Sequence, residues 1–240
     1  MVYDFTRFQS ILFDWRIDLS DVQREQLTVY YEMLAEKNKV MNLTAITEFE
    51  DVLEKHFLDS ISVAQFIDLS GALTLIDVGT GAGFPGLPLK IMFPNLNVTL
   101  ADSLKKRILF LDEVIGTLRL DGISTVHGRA EDLARQPDYR ECYDLCVSRA
   151  VANLSSLSEY CLPFVKQGGR FISYKSNEIE EELFAAKKAI DVLGGRLEQV
   201  IPFQLADTQI GRSFVVISKE KKTPKAYPRK AGTPSKNPLS

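Results

Sequence analysis

The sequence lacks the features that direct a chain to a membrane or to export. None of its apolar runs approaches the roughly 20 residues that a membrane-spanning helix needs. Residues 1–9 contain no basic stretch followed by an apolar one. The 3 cysteines, Cys142, Cys146 and Cys161, are odd in number and lie in or beside apolar segments, which is typical of reduced core thiols. We therefore expect a cytoplasmic protein without membrane attachment.

The residues of hydrolase and metal chemistry are also scarce. The 2 histidines, His56 and His127, belong to no Ser/His/Asp or Cys/His arrangement, and no Cys/His cluster has the spacing of a zinc site. The glycine-rich stretch at 79–86 does not end in Gly-Lys-Ser/Thr, as a Walker phosphate-binding loop must. The sequence thus argues against a triad hydrolase, a metal centre and a nucleoside triphosphatase.

Net charge is low but unevenly distributed. The chain carries a net charge of −3, yet its residues from Lys219 onward include seven Lys or Arg and one Glu. Residues 221–240 are also rich in proline and poor in apolar side chains, which predicts a flexible tail. Its residues Lys225, Arg229 and Lys230 are candidate contacts for RNA phosphates. A tail that only keeps the protein in solution is the alternative.

The glycine-rich stretch follows a short buried strand. The apolar run at 73–78 predicts this strand, and the glycines after it let the backbone turn sharply and lie close to a ligand. Asp77 interrupts the run near the carboxyl end of the strand, where a carboxylate can face a ligand instead of the core. Asp77, Gly79 and Gly81 are therefore candidate cofactor contacts.

Strand and helix patterns alternate beyond this point. This order predicts a parallel, doubly wound sheet over residues 69–220, with a ligand crevice at the carboxyl ends of the strands. The predicted strands lie at 73–78, 97–101, 123–127, 143–148, 170–175, 196–205 and 213–218. The predicted helices between them lie at 86–93, 104–118, 130–135, 152–166 and 178–193. The short loop before the last strand predicts a hairpin, so we expect seven strands with the last one antiparallel.

Residues 1–68 precede the sheet and predict a helical cap. Ser20 and Gln23 have the spacing of a capping box, which marks the start of one helix. Thr47, with Glu50 three residues later, predicts the start of a second helix. The cap is expected to pack on the sheet.

Several polar residues follow predicted strands. Asp102 is placed to accept hydrogen bonds from both ribose hydroxyls of a nucleoside, although it could instead cap the next helix. Ala130 and Glu131, after the third strand, could bound an adenine ring, and helix capping is again the alternative. These positions together predict a nucleoside site.

Three cations occupy comparable positions. Arg149 and Lys175 end strand patterns, and Arg212 precedes the last strand. Cations that converge on a crevice suit a polyanionic substrate or a phosphate backbone. The alternative is that each forms a structural salt bridge, because an unpaired charge at an apolar strand end would be costly. The carboxylates considered for such bridges are Asp77, Asp144 and Glu131.

Residues 81–86 also satisfy G-x-G-x-x-G, with Asp102 near the acidic position about 20 residues further on, as in dinucleotide-binding proteins. The longer pattern, in which two apolar residues, Asp and one apolar residue precede Gly-x-Gly-x-Gly, instead resembles the first motif of class I S-adenosylmethionine-dependent methyltransferases. The glycine fingerprint taken by itself still leaves a dinucleotide-dependent oxidoreductase open.

Further motifs narrow this resemblance. They are NLT at 42–44, KHFLDS at 55–60, IDVGTGAGFPGLP at 76–88, DSLKKR at 102–107, SRA at 148–150 and RSFVVI at 212–217. Together they resemble the bacterial small-subunit ribosomal RNA methyltransferase G family over about residues 19–219. The resemblance implies a Rossmann-like class I methyltransferase fold with S-adenosyl-L-methionine as methyl donor. It also implies methylation of N7 of one guanine in 16S ribosomal RNA, free or in the 30S particle.

The resemblance also assigns residues. Those assigned to the cofactor are Gly79, Phe84, Asp102, Ala130, Glu131 and Arg149. Arg149 and Lys175 are the residues expected beside the target base, and we expect a monomer. Other classes stay open on the residues alone: a methyltransferase for a small molecule or a protein, and an RNA-binding protein without catalytic activity.

Overall fold

The computed structural model describes residues 3–149, 151–206 and 208–239. Its strands are β1 Thr74–Val78, β2 Asn97–Asp102, β3 Ile123–His127, β4 Tyr143–Arg149, β5 Val165–Ser176, β6 Gly195–Gln204 and β7 Gly211–Lys219. They form one sheet in the order β3-β2-β1-β4-β5-β7-β6. The first five strands pair in parallel, and β7 is antiparallel to both of its neighbours. The predicted seven-stranded α/β fold is confirmed.

Ten α-helical segments are found in the described part of the chain. They are α1 Thr6–Asp14, α2 Asp21–Met41, α3 Phe49–Val52, α4 Asp59–Ile61, α5 Gly86–Met92, α6 Lys105–Leu118, α7 Ala130–Leu133, α8 Leu154–Cys161, α9 Glu180–Val192 and α10 Thr233–Lys236. A π-helical segment, Leu53–Leu58, joins α3 to α4. Two 3₁₀ turns lie at Ser62–Gln65 and Leu162–Phe164. Across the residues described, none of the helices combines the length and apolarity needed to cross a membrane.

The core occupies both faces of the sheet, as the doubly wound pattern requires. Alternate residues of a strand point to opposite faces. Leu75 of β1 packs in one cluster with Leu111 of α6, and its neighbour Ile76 packs in the other with Leu157 of α8. The cysteines are free, and Cys146 and Cys161 are buried as predicted, whereas Cys142 is exposed.

The N-terminal helices pack on the first of these faces. Ser20 Oγ accepts from the Gln23 amide at 3.2 Å, and Gln23 Oε1 accepts from the Ser20 amide at 2.9 Å, so the predicted capping box is confirmed. Tyr30 of α2 is fully buried, and its hydroxyl donates to the Ala82 carbonyl at 2.6 Å. Helix α2 thereby contacts the glycine-rich loop directly.

Two helix boundaries differ from prediction. The helix expected at Thr47 begins at Phe49 without a side-chain cap. Thr47 lies in the irregular segment before this helix, where its carbonyl accepts from the Tyr31 hydroxyl. The helix predicted over 152–166 ends at Cys161. Pro163 has no amide hydrogen, so it cannot continue the hydrogen bonds of an α-helix, and a 3₁₀ turn follows. This turn leads into β5, which starts earlier than predicted.

The tail differs most from prediction. Residues 221–239 pack against α8 and the segment before β4 instead of extending as a flexible tail; Ser240 lies outside the described residues. Arg229 makes a bidentate ion pair with the buried Glu159 of α8, with Nη2 2.7 Å from Oε2. Arg140 donates to the carbonyl of Tyr227 at 3.0 Å. A composition poor in apolar residues did not reveal these polar anchors.

Candidate active site

The glycine-rich loop after β1 has backbone conformations that favour glycine. Gly79, Gly81 and Gly83 have φ angles of +73°, +63° and +111°, a region that side-chain-bearing residues rarely adopt. A Cβ atom at Gly79 would lie 2.6 Å from Cγ2 of Val151. Glycine at 79 therefore leaves space for the side chain of Val151 next to the loop.

Asp77 holds this loop from beneath. Its Oδ2 atom accepts from Thr80 Oγ1 at 2.7 Å and from the Gly86 amide at 2.8 Å. The side chain is completely buried, and Oδ1 has no hydrogen-bond partner in the part of the chain described. Burial raises the pKa of Asp77 from 3.8 to about 7. The loop thus takes up one oxygen of the carboxylate, and contact of Asp77 with a ligand stays a prediction.

A first cavity of about 280 Å³ opens where β1, β2 and β3 end, near the lower limit of roughly 300 Å³ for small-molecule pockets. Four residues proposed from the sequence line it: Gly79, Asp102, Ala130 and Glu131. Its other lining residues include Val151, Ala152, Tyr160, Gly232 and Ser235. The last two belong to the tail, which the sequence did not connect with this site.

Asp102 fixes the backbone on both sides of it, and its contact with a ribose stays a prediction. Its Oδ1 atom accepts from the Leu104 amide at 2.8 Å, next to the start of α6. Its Oδ2 atom accepts from the Gly81 amide at 3.0 Å and from Arg107 Nη1 at 3.2 Å. The carboxylate lines the first cavity while it fixes the loop to β2. Gly81 does not line the cavity and acts through this bond.

Phe84 is not among the lining residues of the first cavity, and its assignment to the cofactor stays a prediction. Its ring stacks on His56, with centroids 4.5 Å apart and planes at 16°. The guanidinium carbon of Arg149 lies 5.1 Å from the centre of the same ring, within the range of a cation–π contact. Phe84 therefore supports Arg149 and His56.

A second cavity of about 540 Å³ lies beside the first. The three predicted cations, Arg149, Lys175 and Arg212, all line it. The sheet brings two of them together, because Arg149 is in register with Tyr174 of the neighbouring strand. The other lining residues include Lys55, His56, Asp59, Tyr174 and Glu182. Four cations against two carboxylates leave this cavity positively charged.

The cations are paired, but not with the carboxylates considered from the sequence. Asp59, which is 3% exposed, accepts from Arg149 Nη1 at 2.7 Å and from Arg212 Nε at 2.8 Å. Glu182 accepts from Lys175 Nζ at 2.5 Å. Asp59 belongs to the KHFLDS motif. Its pairing with the two arginines depends on how the helical cap packs against β4 and β7, which the sequence does not specify.

His56 is a neutral acceptor for Arg149. Burial and the nearby guanidinium lower the pKa of His56 from 6.5 to about 4. Its Nδ1 atom lies 3.1 Å from Arg149 Nη2, which can only donate, so we place the imidazole proton on Nε2. Nε2 then donates to Thr44 Oγ1 at 2.8 Å. Thr44, His56 and Arg149 form one hydrogen-bonded chain.

The two cavities meet at residues 149–152. Arg149 lines the second cavity, Val151 and Ala152 line the first, and Ala150 lies outside the described residues. Lys175 Nζ donates to the Ala152 carbonyl at 2.8 Å across this boundary. No group of three or more His, Cys, Asp or Glu side chains in the described ranges is placed to hold a metal ion. A nucleoside and an anionic substrate can therefore bind side by side.

The basic residues of the tail divide into two groups. Lys225 and Lys230 are exposed and remain candidates for phosphate contacts. Arg229 is committed to Glu159 through its side chain and its amide, which donates to Oε1 at 2.6 Å. This pairing commits Nε and Nη2 of the guanidinium to Glu159, and contact of Arg229 with RNA stays a prediction.

A parallel sheet with an antiparallel seventh strand, a glycine-rich loop after β1 and a carboxylate at the end of β2 define a class I S-adenosylmethionine-dependent methyltransferase. The structure resembles that of a SAM dependent methyltransferase from Aquifex aeolicus, with a TM-score of 0.53, 18% identity, and coverage of 70% of this chain and 92% of that one. It also resembles the fibrillarin pre-rRNA processing protein of Methanococcus jannaschii, with a TM-score of 0.51, 14% identity, and coverage of 65% and 70%. These likenesses concern the fold.

Sequence comparison identifies the family. The model of the family described as rRNA small subunit methyltransferase G matches residues 23–210. A relative from Lachnoclostridium phytofermentans is 55% identical over 223 residues, which cover 93% of this chain and 92% of the relative. One from Staphylococcus saprophyticus is 53% identical, with 93% of each chain covered. Both are named ribosomal RNA small subunit methyltransferase G. The chain belongs to the rRNA small subunit methyltransferase G family.

Proposed function

We propose that the protein transfers a methyl group from S-adenosyl-L-methionine to N7 of one guanine in 16S ribosomal RNA. The observation that supports this most directly is the junction at residues 149–152, where a nucleoside-sized cavity adjoins a cationic one. Ribosomal RNA is a polyanion, and a cavity lined by Arg149, Lys175 and Arg212 matches its charge. A dinucleotide oxidoreductase would not need such a cavity.

We assign the cofactor to the first cavity. Asp102 would accept from the ribose hydroxyls, and Ala130 and Glu131 would bound the adenine. Gly79 would lie next to the methionine portion, and its lack of a side chain lets the loop approach Val151, because a Cβ there would lie 2.6 Å from Cγ2 of that residue. The cofactor supplies an electrophilic methyl group on its sulfonium sulfur. Asp77 and Gly81 stabilise the loop, and Phe84 packs against Arg149. None of these three residues is among those that line the cavity.

The chemistry does not require a general base. Guanine N7 has a lone pair in the ring plane and no proton, so it can attack a methyl carbon directly. What the protein supplies is proximity and alignment, which are worth effective molarities of roughly 10⁵ M or more. His56, the histidine in the second cavity, is hydrogen-bonded on both ring nitrogens. It positions Arg149 and removes no proton.

Arg149 and Lys175 would lie beside the target base. Arg149 is held by Asp59 and His56, and Lys175 by Glu182 and the Ala152 carbonyl. Their side chains are only 14% and 12% exposed, so they are ordered before the substrate arrives. Arg212, at 27%, is more accessible and suits a flanking phosphate. We place the protein in the cytoplasm as a monomer that acts on RNA or on the 30S particle.

Methyl transfer from labelled S-adenosyl-L-methionine tests the proposal. Substrates are free 16S RNA, 30S particles, and fractions of small molecules and proteins. We expect label in one guanine, identified by cleavage at the N7-methylated position and by mass spectrometry. Label only in small molecules or proteins would contradict the proposed substrate. Binding of RNA and cofactor without transfer would favour the non-catalytic alternative.

A further inference from the structure

The C-terminal segment supplies two residues to the wall of the first cavity. Gly232 and Ser235 line it together with Ala130, Glu131 and Tyr160. Ala130 and Glu131 follow β3 in the chain, and the proposed function places the adenine ring beside them. Gly232 and Ser235 therefore lie at the adenine end of the cavity. The segment thus reaches the cofactor site through the fold, from more than one hundred residues further along the chain.

One hydrogen bond ties the segment to this site. The Gly232 amide donates to Oε1 of Glu131 at 2.8 Å. Glu131 is only 4% exposed, so an unpartnered carboxylate here would be costly. Its Oε2 atom has no hydrogen bond within the described residues and can accept from the exocyclic amine of an adenine. The tail therefore orients a carboxylate that lines the cofactor cavity.

Both sides of Gly232 are anchored to the same helix. Before it, Arg229 forms the bidentate pair with Glu159 of α8. After it, the Pro234 carbonyl accepts from Ser156 Oγ of α8 at 2.7 Å. Because the ion pair and the hydrogen bond flank the turn, Gly232 is held at the cavity.

We propose that residues 229–239 form a fixed wall of the cofactor site, with Gly232 positioning Glu131, and that their main role is in cofactor affinity. This inference rests on the proposed function, since it takes the first cavity as the S-adenosylmethionine site. It assigns the segment a role that its basic composition does not suggest. Exposed lysines can still contact RNA, but the wall itself acts on the cofactor.

The first test is a matched pair of glycine variants. Gly232 and Gly168 have φ angles of +83° and +86°, and a Cβ at either would meet open space. Valine is strained at both positions to a similar degree. We expect Gly232→Val to weaken binding of S-adenosylhomocysteine at least fivefold by calorimetry. Gly168→Val, distant from the cavity, should change it less than twofold. Equal effects of the two variants would overturn the proposal.

The second test removes the wall. Deletion of residues 229–240 would leave Glu159 buried and charged, so it is combined with Glu159→Gln, and the unmodified protein is the control, because full-length Glu159→Gln itself loses an anchor of the wall. We expect the truncated variant to bind S-adenosylhomocysteine at least tenfold more weakly than the control at both 50 and 500 mM salt. Unchanged affinity for S-adenosylhomocysteine with weaker RNA binding would overturn the proposal and favour a purely RNA-binding tail.

These outcomes are separable from failure of the proposed function. If the unmodified protein binds S-adenosylhomocysteine and methylates 16S RNA while the variants bind as tightly, only the role of the tail is wrong. If the unmodified protein does not bind S-adenosylhomocysteine, both the cofactor assignment and the inference are wrong.

Discussion

Asp59 Oδ2 accepts a hydrogen bond from Arg149 Nη1 at 2.7 Å, which joins the helical cap to the end of β4 at the point where the cavities meet. Asp59→Asn should remove the charge that holds two arginines. We expect a loss of about 2–4 kcal/mol in the free energy of unfolding. We also expect methyl transfer to fall at least tenfold with cofactor affinity nearly unchanged, because Asp59 does not line the first cavity.

Glu198 provides the control for this prediction, since it forms a more exposed ion pair with Arg170. Glu198→Gln should cost less than about 1 kcal/mol and leave methyl transfer intact. Urea unfolding and single-turnover kinetics measure both variants. Equal effects would show that Asp59 acts as an ordinary ion-pair partner.

Lys175→Ala should lower methyl transfer more than cofactor affinity, because its contacts belong to the substrate side. The second cavity places Lys175 beside Arg149, and its bond to the Ala152 carbonyl is lost in this variant. Lys166→Ala is the control. Lys166 lies on β5, the strand that also carries Lys175, and it pairs with Asp144 of β4. Unimpaired turnover of Lys175→Ala would remove Lys175 from the site.

Gly79→Val should abolish cofactor binding while the protein stays folded. The valine side chain would meet Val151, and φ at this position is +73°. Gly116→Val is the control, because a Cβ at Gly116, in α6, meets nothing within 4 Å. Calorimetry with S-adenosyl-L-methionine decides the matter: a folded Gly79→Val variant of normal affinity would mean that the loop is structural only.

Asp102→Asn should weaken cofactor binding by about 1.5–3 kcal/mol, because hydrogen bonds to a charged acceptor become neutral ones. Asp144→Asn, near the amino end of β4 and so away from the carboxyl ends of the strands, should leave the affinity unchanged. A loss of stability in Asp102→Asn without a loss of affinity would show that the bonds to Gly81 and Leu104 are the whole role of Asp102.

Asp77 predicts a pH dependence of stability. Its carboxyl releases a proton near pH 4 when the chain is unfolded and near 7 when it is folded, because burial raises the pKa. The folded state therefore binds more protons between these values, and its stability falls as the pH rises through them. At about 1.4 kcal/mol per pKa unit, the contribution is at most on the order of 4 kcal/mol.

Asp77→Asn removes this titration. The free energy of unfolding of the unmodified protein should fall between pH 5 and pH 8 by more than that of the variant. Urea unfolding at several pH values measures both. Parallel profiles for the two proteins would contradict the raised pKa.

The strands were predictable because their signals are local. The apolar run before Gly79, the alternation of strand and helix, and the short loop before β7 each depend on neighbouring residues, and six of the seven predicted strands lie within two residues of the observed ones. Helix ends were harder to predict. Pro163 ends a helix that the apolar pattern of residues 152–166 would have continued. The contacts of Asp77 with the loop were also not evident from the sequence.

The pairings in the site were not predictable from local pattern. Asp59 meets Arg212 across 153 positions and Glu131 meets Gly232 across 101. Residue type and position were enough to single out the three cations of the site, because a charged side chain at the end of an apolar strand needs a partner. Which carboxylate supplies the charge depends on the packing of the helical cap and the tail on the sheet, which no short segment encodes.

Tyr30 links the helical cap to the loop through the Ala82 carbonyl, and its ring stacks on Phe57 with centroids 5.4 Å apart. The boundary near residue 68 is therefore a change in sequence pattern and not a place where the chain can be divided into autonomous folding units. Expressed without its first 68 residues, the rest of the chain would expose the apolar surfaces of α5 and α6 that α2 covers. We expect such a fragment to aggregate, and the two parts to be inherited and engineered as one unit.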